Sequence, residues 1–169
     1  MQKNSKGYTL IELIVVIVLF GIIFSFTAPK FRDAVLTDSL KNVTRDLIGN
    51  IKILRSDAIL ESQDYFLRFD LEKNEYWHEN ANSTPKGKEF DYKASVKQLP
   101  SDVRITDIWI KNRGKQMAGD IAIRFTKIGY AQESAIHLES EDGREFTLVV
   151  NQFLQKVKVM ENYVEFEDT

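Results

Sequence analysis

The side chains that carry acid–base or metal-binding chemistry do not form a recognisable catalytic set in this sequence. His78 and His137 are its 2 histidines and lie far apart, and there is no cysteine, which excludes disulfides, thiolate metal sites and a cysteine nucleophile. No phosphate-binding glycine loop, G-x-S-x-G elbow or H-E-x-x-H pattern occurs. We interpret the histidines as satisfied or surface residues, and the acidic cluster Glu139, Glu141 and Asp142 as a solvated turn. We therefore predict no catalytic residue, no metal site and no cofactor.

One carboxylate, that of Glu12, lies inside an otherwise uncharged apolar segment, residues 8–28. As an α-helix this segment would be about 31 Å long, close to the thickness of the hydrocarbon core of a bilayer. A carboxylate within a membrane-spanning helix costs about 2.5–3.5 kcal/mol on insertion scales, so it usually has a partner and a function. Glu12 is therefore the first candidate functional residue.

Two ordinary interpretations of this segment are a cleaved secretory signal peptide and a plain single-pass anchor. The apolar run is longer than the roughly 7–15 residues of a signal-peptide core, and no small-x-small cleavage pattern ends it before Pro29. A plain anchor fits the length and the two basic residues that precede the run. It does not explain Glu12.

The sequence around Glu12 resembles the type IV prepilin signal. A short basic leader ends in glycine and is followed by an aromatic residue, Thr-Leu-Ile-Glu-Leu and a long apolar run, here KGYTLIEL at 6–13. Type IV pilins share this signal with the pseudopilins of type II secretion. The resemblance implies that a membrane prepilin peptidase cuts between Gly7 and Tyr8, that Tyr8 is then N-methylated, and that Glu12 acts in assembly. Tyr8 stands where the family most often has phenylalanine, and we expect cleavage to survive because tyrosine is also aromatic.

Cleavage after Gly7 would place a protonated α-amine at the tip of an apolar helix. An ammonium and a carboxylate in a low dielectric offset each other's desolvation when they meet closely. Within one helix Glu12 is four residues from Tyr8, so the contact can form inside the chain. Alternatively, a neighbouring subunit shifted along the helix axis presents its amine to Glu12, and that pairing would fix axial register.

The elements that follow are predicted from hydrophobic periodicity. Pro29 is expected to kink or break the helix, and the helical pattern then continues to Ser62. Its apolar stripe, at spacings of three and four, consists of Leu40, Val43, Leu47, Ile51, Leu54 and Ala58. Charged residues lie largely elsewhere, at Lys41, Arg45, Asp46, Lys52 and Arg55.

From Tyr65 the hydrophobic period changes to two, which predicts strands. The predicted strands are 65–70, 75–79, 88–96, 103–111, 121–126, 136–140, 145–150, 156–160 and 163–166. Loops are predicted at 80–87 and 112–119, and tight turns at 72–74 and 141–144. One long helix followed only by strands predicts an α+β fold, with the second half of the helix packed on an antiparallel sheet.

The fold and three stretches of sequence resemble pilins, in particular the H-type minor pseudopilins (GspH) and the FimT-like pilins. The stretches are LRSDA at 54–58 with FLRFD at 66–70, IRFTKIG at 123–129 and IHLESEDGREFTLVVN at 136–151. Residues 156–160 depart from the usual glycine-containing ending. The implied organisation is a prepilin leader at 1–7, a transmembrane and assembly helix at 8–28, its amphipathic continuation at 29–62 and a β-rich periplasmic domain at 63–169.

The resemblance implies a minor pseudopilin of the type II secretion pseudopilus, acting in its initiation or tip assembly and so in protein export across the outer membrane. The implied partners are the prepilin peptidase, other major and minor pseudopilins or pilins, and an inner-membrane assembly platform. The implied location is the inner membrane, with a single pass, a cytoplasmic N-terminus and a periplasmic C-terminal domain. The protein would then enter a periplasmic pseudopilus or pilus.

Two alternatives are a FimT-like type IV minor pilin acting in pilus assembly or DNA uptake, and an anchored periplasmic enzyme. DNA binding rests on Lys and Arg contacts to phosphates, whereas the chain has a net charge of −2 and its residues 161–169 include no base. Lys111, Arg113 and Lys115 near Trp109 form a small basic patch, which we interpret as a solvated loop. No nucleophile–base set supports the enzyme. We therefore expect membrane contact and no nucleic-acid partner.

Overall fold

A computed structural model describes residues 10–36, 38–81, 96–154 and 156–167, with residues 24–36 as backbone only. The chain divides into two compact units, Met1–Asp38 and Ser39–Thr169, which we describe separately. The first unit holds helix α1, Leu10–Leu36. The second begins with helix α2, Ser39–Leu60.

Helix α1 continues across Pro29, where the sequence predicted a kink or a break, and it ends at Leu36. Proline removes one backbone hydrogen bond, but its fixed φ is a helical value, so the turns on either side can stay helical. Within the described part of the chain, no helix is both long enough and apolar enough to cross a membrane.

Helix α2 buries the predicted apolar stripe completely, from Leu40 to Ala58. Its C-terminus is closed by a Schellman motif, in which Gln63 N–H donates to the Ala58 carbonyl (3.2 Å) and Ser62 N–H to the Ile59 carbonyl (3.2 Å). Ser62 takes the left-handed conformation, φ 53°, that turns the chain away from the helix. The turn directs the chain into the first strand.

The strands form two antiparallel sheets. The strands are β1 Tyr65–Asp70, β2 Glu75–Asn80, β3 Lys97–Gln98, β4 Val103–Ile110, β5 Gly114–Gln116, β6 Asp120–Phe125, β7 Ser134–Ser140, β8 Glu145–Val150 and β9 Lys158–Met160. The first sheet has the order β3-β2-β1-β6, and the second has the order β5-β4-β7-β8-β9. Helix α2 packs against strands of both sheets.

The core lies between α2 and the two sheets. Alternate residues of each central strand point toward the helix, including the fully buried side chains of Leu67 on β1, Ile136 on β7 and Leu148 on β8. The fold predicted from the sequence, a long N-terminal helix followed by an antiparallel β domain, is confirmed. The sheet is divided in two, a detail that hydrophobic period alone does not specify.

Most predicted strands are present, and two predictions need correction. Residues 163–166 form no strand, and the predicted loop 112–119 contains the short strand β5, which hydrogen-bonds to β4. Residues 88–95 of the predicted strand 88–96 and residues 82–87 of the predicted loop 80–87 lie outside the described residues. The predicted turn 141–144 joins β7 to β8, where Ser140 N–H donates to the Arg144 carbonyl (2.9 Å) and Gly143 has φ 82°.

Candidate functional site

Glu12 lies in the first turn of α1, and its side chain is exposed. The large apolar side chains on either side of it, from Leu10 to Ile23, are exposed as well, with values from 43% for Val16 to 78% for Leu10. A helix that is apolar on all sides is typical of a segment surrounded by lipid or by other helices. A carboxylate at the N-terminal end of such a helix also interacts favourably with the helix dipole.

The other two residues of the predicted processing site, Gly7 and Tyr8, lie outside the described residues. Cleavage after Gly7 and methylation of Tyr8 therefore stay predictions. So does the pairing of Glu12 with the amine of Tyr8, whether within one chain or between subunits.

A second polar cluster lies in the C-terminal unit, on the face of the second sheet that points away from α2. His137 on β7 is 2% exposed, and its Nδ1 lies 2.7 Å from Oδ1 of Asp107 on β4, which is also 2% exposed. The other ring nitrogen, Nε2, lies 2.9 Å from the backbone carbonyl of Val164. The Tyr163 ring stacks on the imidazole, with 4.2 Å between centroids.

This cluster does not resemble a catalytic or a metal site. Both nitrogens of His137 are occupied, so the ring presents no free nitrogen to a substrate. His78 is exposed on β2 of the first sheet, so the two histidines are not brought together. Among the described residues, no group of three His, Cys, Asp or Glu side chains is arranged to hold a metal ion.

Comparison with known proteins matches the N-terminal segment to the prokaryotic N-terminal methylation motif, over residues 2–28. A stretch of 75 residues is 33% identical to type II secretion system protein H of Pseudomonas aeruginosa (strain PAO1). This stretch covers 44% of the present chain and 42% of that protein, so the chain matches less than half the length of this relative.

Two solved structures of the minor pseudopilin EpsH, from the type 2 secretion system of Vibrio cholerae, share the fold. One aligns with a TM-score of 0.58 and 11% identity over 76% of this chain and 100% of its own. The other aligns with a TM-score of 0.58 and 12% identity over 78% and 99%. The chain has a pilin-like fold. The resemblance inferred from the sequence, both to the prepilin signal and to the H-type subgroup, is confirmed.

In this pilin-like chain the basic patch near Trp109 is largely neutralised. Lys111 pairs with Glu133 at 2.9 Å, and Lys115 lies 3.5 Å from Asp107 Oδ2. Arg113 lies at the exposed turn between β4 and β5. Because two of the three cations face carboxylates, this patch has little charge to offer to phosphates.

Of the acidic cluster that was interpreted as a solvated turn, Glu141 and Asp142 lie in the exposed turn, whereas Glu139 lies on strand β7. Glu139 pairs with Arg104 at 2.7 Å, and Asp142 pairs with Arg144 at 2.7 Å within the turn. Glu141 is exposed. These carboxylates face arginines and water.

Two features were missed from the sequence. Arg55, assigned to the polar side of the helix, is 5% exposed, and its guanidinium donates to the carbonyls of Asn151 (2.7 Å) and Leu154. The C-terminal tail, residues 161–167, lies on the second sheet and is held there by side chains. The only signal for the tail was its mixture of Tyr, Val and Phe among acids, which resembles a strand.

Proposed function

We propose that this pilin-like chain is a minor pseudopilin, a structural subunit of the type II secretion pseudopilus that takes part in its initiation or tip assembly. Through that role it would act in protein export across the outer membrane. The observation that carries the proposal is the combination of an N-terminal methylation motif at residues 2–28 with the fold of an H-type minor pseudopilin. The identity to secretion system protein H over part of the chain supports it.

The N-terminal segment would supply processing, anchoring and assembly. In this proposal prepilin peptidase removes residues 1–7, and Tyr8 becomes the methylated N-terminus. Residues 8–28 hold the chain in the inner membrane, with the C-terminal domain in the periplasm, until the subunit enters the filament. Their 21 residues with Glu12 as the one charge support this role.

Glu12 would act by pairing with the α-amine of Tyr8 on a neighbouring subunit. Each group alone carries a desolvation cost among apolar helices, and the cost is offset only when the two charges meet. The pairing would therefore select one axial offset between subunits. Assembly partners in this proposal are the other major and minor pseudopilins and the inner-membrane platform.

A complementation experiment tests this proposal. A strain lacking the gene is complemented with the wild-type chain, with Glu12→Ala, or with Glu141→Ala as a matched control that removes an exposed carboxylate from the β7–β8 turn. Proteomics of the culture supernatant and of the periplasm then measures export. We expect the deletion to move a set of enzymes from the medium to the periplasm, and the wild type and Glu141→Ala to restore their export. Glu12→Ala should fail to restore export while reaching the normal membrane level.

Each outcome separates one part of the proposal. Unchanged export in the deletion strain would overturn the secretion function and make pilus number and DNA uptake the phenotypes to measure, as for a FimT-like pilin. Restored export and normal co-assembly with Glu12→Ala would overturn the assembly role of Glu12 alone.

A further inference from the structure

The C-terminal tail is held on the second sheet by side chains instead of a strand ladder. Val164 N–H donates to Thr147 Oγ1 (3.2 Å), and the Val164 carbonyl faces His137 Nε2 (2.9 Å). Thr147 Oγ1 donates in turn to the Asn162 carbonyl (2.7 Å). Further along the tail, Phe166 stacks on Trp109, with 5.1 Å between ring centroids. Loss of the His137 contact would therefore remove a central attachment of the tail.

With Asp107 ionised, both ring nitrogens of His137 face hydrogen-bond acceptors. Nε2 faces a backbone carbonyl, which can only accept a hydrogen bond, and Nδ1 faces the carboxylate of Asp107. A neutral imidazole has one N–H and one lone pair, so it would direct the lone pair at one of these acceptors inside a buried site. The arrangement is satisfied by the imidazolium form paired with an ionised Asp107.

The neighbours of Asp107 keep its carboxyl ionised. Tyr163 donates to its Oδ2 at 3.3 Å, and Lys115 Nζ lies 3.5 Å from the same oxygen. Burial on its own would raise the pKa of Asp107, but the hydrogen bond and charge of His137, with Lys115 and Tyr163, lower that pKa below its ordinary value. Asp107 therefore faces His137 Nδ1 as a hydrogen-bond acceptor.

The surroundings of His137 can be stated element by element for the described residues. The titratable and charged groups near it are Asp107 on β4, Lys115 on β5 and Tyr163 in the tail, while β8 contributes the neutral hydroxyl of Thr147. On β7 itself, Glu139 points to the same face and is paired with Arg104. Among these groups, His137 is the one whose side chain type changes charge near neutral pH.

We propose that the C-terminal tail is a proton-dependent strap, docked on the second sheet while His137 is an imidazolium and released when the ring loses a proton. As the pH rises, deprotonation leaves a buried lone pair facing an acceptor, and the Val164 contact is lost. Protonation of Asp107 would also weaken the pair, but only at a pH below the range in which carboxyl groups ordinarily titrate, because the pKa of Asp107 is lowered. The strap is thus closed at mildly acidic pH and opens on the alkaline side.

Hydrogen exchange of the full chain in detergent micelles tests this inference. Exchange rates of the tail peptide, divided by the intrinsic rate at each pH, give protection factors between about pH 5.5 and about pH 9, a range that spans histidine titration. We expect tail protection to fall by about tenfold or more with rising pH, the effect of one unsatisfied buried partner. Protection of β7 and β8 should stay constant. Constant tail protection would overturn the proposal.

Three variants test whether the pH dependence of tail protection arises from His137. His137→Gln should abolish the pH step, whereas His78→Gln, which removes the exposed histidine, should retain it. Thr147→Val should lower tail protection at every pH and keep the step, because it removes a neutral contact. A pH step that persists in His137→Gln would overturn the assignment to this residue.

The wild-type chain provides a test that does not depend on the folding of any variant. The ¹⁵N shifts of the His137 ring report directly whether one or both nitrogens carry a proton. We expect the doubly protonated ring at the acid end of the range. A neutral His137 ring while the tail is docked would overturn the proposal.

Discussion

The guanidinium of Arg55 attaches the loop 151–154 to helix α2. It is buried, donates to the backbone carbonyls of Asn151 and Leu154, and has no hydrogen-bond partner at Nε among the described residues. Burial lowers the pKa of Arg55, although the group stays charged because arginine titrates far above neutral pH. Arg55 therefore acts as a structural cation that caps backbone carbonyls where a strand ladder has ended.

We predict that Arg55→Met and Arg55→Lys each lower the free energy of unfolding by about 1–3 kcal/mol. Methionine leaves both carbonyls without their donor, and lysine cannot reproduce the two-pronged geometry of the guanidinium. Urea unfolding of the detergent-solubilised chain measures the change. Lys52→Met, at an exposed position of the same helix, is the control and should alter stability by no more than about 0.5 kcal/mol. Equal midpoints for Arg55→Met and Lys52→Met would contradict the prediction.

Arg55 also illustrates what periodicity cannot predict at single positions. The spacing of the stripe from Leu40 to Ala58 identified the apolar core face of α2. Arg55 borders this stripe, and its burial depends on carbonyls that lie 96 and 99 residues further along the chain. No local pattern contains that information.

At the scale of elements, the turn between β1 and β2 hydrogen-bonds the two sheets to each other. Asn74, in the left-handed conformation with φ 56°, donates from Nδ2 to the Val103 carbonyl (2.6 Å) and accepts from Ile105 N–H (3.1 Å). Its own carbonyl accepts from Leu99 N–H (3.0 Å). One side chain from the first sheet thus satisfies two backbone groups of β4 in the second.

We predict that Asn74→Gly lowers stability by about 1–3 kcal/mol although glycine tolerates the same φ, because both contacts to β4 are lost. Asn74→Asp should be at least as destabilising, since it places a carboxylate oxygen against the Val103 carbonyl. Asn112→Gly is the matched control, at an exposed left-handed residue (φ 65°), and should stay within about 0.5 kcal/mol. Thermal unfolding compares the three. If Asn74→Gly melts with the wild type, the side-chain bridge does not stabilise the fold.

Strand bounds were predicted accurately where apolar and polar residues alternate along the strand and one face of the strand is buried. β1 was predicted to the residue, and the start of β8 and the turn before it were also correct. The tail was predicted as a strand because its residue types suit one, but the polar groups of Val164 pair with Thr147 and His137. This arrangement depends on a histidine and a threonine from two other strands, so the segment's own sequence does not specify it.

At the scale of the whole molecule, the two units place their apolar residues in opposite ways. The second unit buries its large side chains between α2 and the sheets, whereas the described side chains of α1 are exposed from Leu10 to Ile23. The sequence predicted this contrast because an unbroken apolar run and a stripe at spacings of three and four are different patterns.

Intact mass spectrometry of the membrane-extracted chain gives a whole-molecule prediction. We expect the mass of residues 8–169 plus one methyl group, because the N-terminal methylation motif implies both reactions. The intact mass of Glu12→Ala should be measured as well. If residues 1–7 are removed normally from this variant, Glu12 is not required for cleavage, and any assembly defect arises at a later step. If the wild-type chain retains residues 1–7, the prediction of cleavage is wrong, and the N-terminal segment is better interpreted as a plain single-pass anchor.

The turn between β7 and β8 offers a position for a site-specific label. Glu141 is exposed there, at the tip of a hairpin whose strands are tied into the centre of the second sheet. The sequence has no cysteine, so Glu141→Cys would supply its single thiol at an exposed position. With a second label on a neighbouring subunit, a fluorophore or spin label at that thiol would report the distance between the two subunits in intact cells.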